Sequence, residues 1–181
     1  MEILAANDAS RWCEDHGIGS PQPSSIFEPG FSSGTRTKFQ IVIPASPPDR
    51  IALANALLVP SILETGLEEF QGGLFWMTDY DIWSETIERV GLQLLEMQFA
   101  PFRNDQPARL FTPDELVDAQ IALGLTLLFE WDAFFAPELT NRVVFVSHHG
   151  YVEVHVQSDD DLRRWSAQFA KAYEVFHSES C

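Results

Sequence analysis

The chain has 181 residues, 45% of them hydrophobic and 12% aromatic, which suits one domain with a substantial core and argues against global disorder. Its 27 acidic residues against 11 Lys and Arg give a formal net charge of −16. Such a chain repels nucleic acid and anionic membranes, because both need their phosphates neutralised by Lys and Arg.

No apolar run approaches the roughly 20 residues of a membrane-spanning helix. MEILAANDAS has neither a basic start nor a long apolar stretch, so no secretory leader is expected and the location reads as cytoplasmic. Cys13 and Cys181 show no CxxC or Cys/His zinc spacing and are expected as unpaired thiols of a reducing compartment. The acids are unevenly placed: residues 61–120 hold twelve acids and three bases.

A short helix is expected around Asp8 to His16, stopped by Gly17. Residues 18–36 are rich in Pro, Ser and Gly and read as an extended arm, with Ile26, Phe27 and Phe31 available to pin it. Lys38 to Ile43 reads as a strand. Ser46-Pro47-Pro48-Asp49 has the form of a helix start, with proline in the first turn, and opens an Ala/Leu-rich helix to about Val59.

After Gly72-Gly73 comes a short strand, Leu74 to Met77, then a second capped start at Thr78 to Asp81. The helix that follows has Trp83, Ile87, Val90, Leu94 and Met97 at spacings of four and three, predicting that this stripe faces the core. Ser84, Glu85, Glu88, Arg89, Gln93 and Glu96 fall largely on the other side. Phe99 to Phe111 reads as an irregular connection. Thr112-Pro113-Asp114-Glu115 opens a helix expected to end at Gly124.

Leu125 to Gln157 reads as a three-stranded antiparallel meander. In its first strand Phe129, Trp131, Ala133 and Phe135 share one side, and Glu130, Asp132 and Phe134 the other. His149-Gly150 is taken as a two-residue hairpin turn, placing His148 opposite Tyr151, Val146 opposite Glu153 and Val144 opposite His155. Val143, Phe145, Val152, Val154 and Val156 then form the core face. Ser158 followed by three aspartates starts a last helix, with Leu162, Trp165, Phe169, Tyr173 and Phe176 inward and Arg163, Arg164 and Lys171 solvated.

Three constellations carry candidate chemistry, each beside a plainer reading. His148, His149, Glu153 and His155 are of metal-ligating type, and Glu153 with His155 could share one ion on a common face. However, strand rise puts His148 about 13 Å from His155, so one ion cannot use all four; the plainer reading is half-buried polar side chains. Glu130 and Asp132 flank Trp131 as paired carboxylates, catalytic candidates if their environments separate their pKa values; otherwise they are a solvated sheet face. Asp79 and Asp81, with Trp76, Tyr80 and Trp83 nearby, suit a helix cap or an aromatic binding patch. No GxGxxG, P-loop, HExxH or GxSxG motif is present, and no cofactor is expected.

These readings combine into an α+β protein with a roughly five-stranded mixed or antiparallel sheet and four to five helices packed on it. Residues 1–37 form the helix and arm, and 38–181 a single domain. The function read from them is a non-catalytic acidic module that binds a basic or amphipathic protein, not nucleic acid or membrane, with Glu64 to Asp118 steering the encounter. Two alternatives stand beside it. One is a small metal-dependent or carboxylate-based hydrolase using Glu130, Asp132, His148, Glu153 and His155; the other is a homo-oligomeric scaffold. Size, acidity and α+β patterning are similar to those of bacterial toxin-immunity proteins and secretion chaperones, a likeness of composition without a shared motif.

Overall fold

The computed structural model of the chain describes residues 1–19, 31, 37–59, 70–79, 86–99, 107–138 and 141–177. In these residues the fold is α+β. The strands are β1 (Glu2–Leu4), β2 (Thr37–Val42), β3 (Gly73–Asp79), β4 (Ala108–Phe111), β5 (Asp132–Pro137), β6 (Arg142–Ser147), β7 (Tyr151–Val156) and β8 (Val175–His177). The helices are α1 (Ala6–Asp15), α2 (Pro47–Leu58), α3 (Thr86–Phe99), α4 (Leu116–Phe129) and α5 (Asp159–Phe169). The eight strands form one antiparallel sheet in the order β1-β4-β3-β5-β6-β7-β2-β8. The expectation of about five strands missed the short strands β1 and β8 at the two edges and β4 beside β1.

The sheet buries both faces, and strand alternation sorts its residues between two cores. On one face Phe39, Ile41, Phe75, Met77, Phe135, Val144, Val152 and Val154 meet Leu53 and Leu57 of α2, Leu95 and Phe99 of α3, Leu123 and Leu127 of α4 and Phe169 of α5. On the other, Leu4, Leu74, Trp76, Phe134, Ala136 and Val143 meet Ala9 and Cys13 of α1. Ile18 bridges Phe31, which packs on this second core. Between β3 and β5 the backbones come so close that a Cβ on Gly73 would lie 2.4 Å from the Ala136 carbonyl oxygen. Glycine is required there.

The meander stands at β5-β6-β7, but it starts later than expected. The run Leu125 to Phe129 continues α4 through the buried Gly124, because a continuous apolar run has no periodicity to separate helix from strand. Thr126 Oγ1 donates back to the Ala122 carbonyl at 2.9 Å, and the helix ends where Glu130 turns left-handed at φ 54°.

The hairpin register also differs by one residue. Its turn is His148-His149-Gly150, with the Gly150 N–H donating to the Ser147 carbonyl at 3.1 Å and Gly150 at φ 85°. A three-residue turn pairs Ser147 with Tyr151, Phe145 with Glu153 and Val143 with His155. Val144, Val146, Val152, Val154 and Val156 are therefore the helix-covered set, and Phe145 shares a face with Glu153.

Two stripes need correction as well. Among the described side chains of α3, which leave out Ile87, the buried positions are Gly91, Leu95 and Phe99, while Val90, Leu94 and Met97 point outward. A Cβ on Gly91 would lie 2.3 Å from the Phe129 ring. The missing side chain lets α3 sit directly on α4, and that seat selects the Leu95/Phe99 face. At the C-terminal end, α5 stops at Phe169, and Phe176 lies exposed on the edge strand β8 instead of in a helix.

The capped starts are as expected where they are described. Ser46 and Ser158 accept from the backbone N–H of Asp49 and Asp161, and the Glu115 carboxylate accepts from the Thr112 N–H at 2.8 Å. Among the described residues no helix is long and apolar enough to cross a membrane.

Candidate functional site

On the α1-side face the sheet changes character between β6 and β7. Its β3–β6 part is apolar, and its β7–β2 part carries Glu153 and His155 beside Gln40 and Lys38, their direct cross-strand neighbours. Glu153 is 6% exposed and His155 5%. Lys38 Nζ donates to Glu153 Oε1 at 2.8 Å and Gln40 Nε2 donates to the same oxygen at 2.9 Å, while His155 Nε2 lies 3.0 Å from Oε2.

Burial alone would push the Glu153 carboxyl up. The hydrogen bonds from His155, Lys38 and Gln40, with the Lys38 charge, outweigh it and bring the pKa down to about 2. A carboxylate held this firmly in its charged form is a poor proton acceptor near neutral pH. The oxygen and nitrogen that could have shared an ion are bonded to each other. Among the described residues no group of three or more His, Cys, Asp and Glu is arranged to hold a metal.

A second polar group stands at the β6–β7 turn. Asp132 Oδ1 accepts the His148 backbone N–H at 2.6 Å and lies 2.9 Å from His148 Nδ1. The His149 ring packs on His148, with centroids 4.0 Å apart. Ser147, the strand residue before this turn, pairs with Tyr151, and His155 is four residues further along β7, about 13 Å by strand rise. The two histidine groups are thus separate.

Glu130 and Asp132 do not act as a carboxylate pair on one strand either. Glu130 caps α4 and accepts from Arg50 Nη2 at 2.6 Å, whereas Asp132 opens β5 and holds the turn. Arg50 also donates through Nη1 to the carbonyls of Leu127 and Leu128, at 3.0 and 3.1 Å, and through Nε to that of Pro44 at 2.7 Å. It satisfies the orphan carbonyls at the end of α4.

Of the aromatic and acidic patch, Trp76 is 5% exposed and belongs to the second core, so it cannot anchor a partner. The alternation that buries Leu74 and Trp76 on β3 sends them both to the α1 side. Tyr80, Asp81 and Trp83 lie outside the described residues, as does the Asp79 side chain.

Part of the apolar surface that reaches solvent, on α3, belongs to the stripe expected to face the core. Val90 is 48%, Leu94 50% and Met97 85% exposed on α3, and Val117 is 65% exposed in the first turn of α4. Gln98 Nε2 donates to Asp118 Oδ1 at 2.8 Å, tying the end of α3 to the start of α4 between these residues. A second apolar stripe in one helix was visible in the sequence; what hid its exposure was Gly91, which contributes nothing to an apolar count.

Charge is sorted between interior and surface. Arg109 is fully buried on β4 and donates to the Ala108 carbonyl, and burial lowers its pKa. Arg142, 2% exposed, donates to the Leu57 carbonyl in the last turn of α2 and lies over the Trp165 ring. Glu153 is the one buried acid among the described residues.

No protein-family model matches the chain, and no curated protein matches it. Among solved structures it is similar to the duplicated taurocyamine kinase from Schistosoma mansoni with bound transition state analog components, at 15% identity over 92% of this chain. The chain spans 25% of that protein's length with a TM-score of 0.27, a likeness too slight to carry an argument about fold or function.

Proposed function

We propose that the protein is a non-catalytic, cytoplasmic binding module whose acidic face, centred on residues 61–120, takes a basic, amphipathic segment of another protein. The observation that supports this is the sorting of charge. Of the nine described bases, Arg50, Arg109, Arg142 and Lys38 are turned to interior partners and five are exposed, against ten exposed acids that include Asp114, Glu138, Asp159, Asp160 and Glu174. Of the three bases in residues 61–120, Arg109 is buried in the core and cannot offset the twelve acids of that stretch at the surface. Such a field raises the encounter rate with a cation and repels anions.

The test uses a fluorescent 14-residue Leu/Lys peptide with Leu at helical spacing, titrated with the protein. Between about 0.1 M and about 1 M salt the screening length falls from about 10 Å to about 3 Å. Affinity should fall at least tenfold over that range. An affinity indifferent to salt would remove the electrostatic basis of the reading.

A further inference from the structure

We draw no further inference here: the strongest candidate, the exposed apolar stripe of Val90, Leu94 and Met97 on α3 with Val117 in the first turn of α4, is an unpartnered face, and nothing in the structure shows what covers it.

Discussion

Replacing Glu153 by Gln tests whether the β2–β7 cluster is a structural lock. The folded protein holds this carboxyl at about 2 against a reference value of 4.5. Glu153 is 6% exposed, so little of the effect is lost to solvent screening. At about 1.4 kcal/mol per pH unit, the depression corresponds to about 3 kcal/mol. Because folding favours the charged form, this stability is fully present above pH 4.5, declines as pH falls, and is gone below about 2.

Glu153→Gln keeps the shape but cannot carry the charge, so it loses the pH-dependent part. Urea unfolding of wild type and variant, measured in steps from neutral pH to about pH 2, isolates that part from the other carboxylates by difference. The gap between the two proteins should narrow by about 3 kcal/mol across the window from pH 4.5 to 2. A gap that stays constant from pH 5 to 2 would mean that Glu153 is not held as its three contacts require, and the lock would be refuted.

Three further outcomes follow from packing. Gly91→Ala gains about 1 kcal/mol of helix propensity but drives a Cβ to within 2.3 Å of the Phe129 ring, itself stacked on the fully buried Trp131 at 5.0 Å. Overpacking of about 1–3 kcal/mol should win and lower the melting temperature; a rise would show that the ring moves aside. Arg50→Met keeps the aliphatic stem and removes the donors to Pro44, Leu127, Leu128 and Glu130, so it should cost about 2–3 kcal/mol and reduce amide protection in the last turn of α4; unchanged protection there would refute the cap. The Cys13 thiol is pushed up to about 12, by burial first and then by Glu14. In a Cys181→Ser background the native protein should not react with a thiol reagent at about pH 8 until urea unfolds it, and rapid native reaction would contradict its burial.

The fold was legible where local chemistry and tertiary packing agree. Ser46, Thr112 and Ser158 mark helix starts because a cap is satisfied within four residues, whatever the rest of the chain does. β2, β6 and β7 alternate clearly enough to be found. The failures fall where the deciding partner is distant in sequence. Leu125 to Phe129 becomes helix because Arg50, about 78 residues earlier, caps its end. β1, β4 and β8 are too short to show a period and exist through their neighbours' open edges.

For the candidate site, a single turn residue decided what could be read. Taking the β6–β7 turn as two residues placed Val144 and Val146 beside His155 and Glu153 and left that face half open. The third turn residue, His148, moves every β6–β7 pair by one and sets Phe145 opposite the acid instead, while Gln40 and Lys38 reach it from β2 on the other side of β7. Each residue whose type suggests catalysis has a nearer claim on it. Asp132 holds the turn, Glu130 meets Arg50, and Glu153 is saturated by three donors. A buried acid with every donor supplied strengthens the sheet and has no proton to trade near neutral pH.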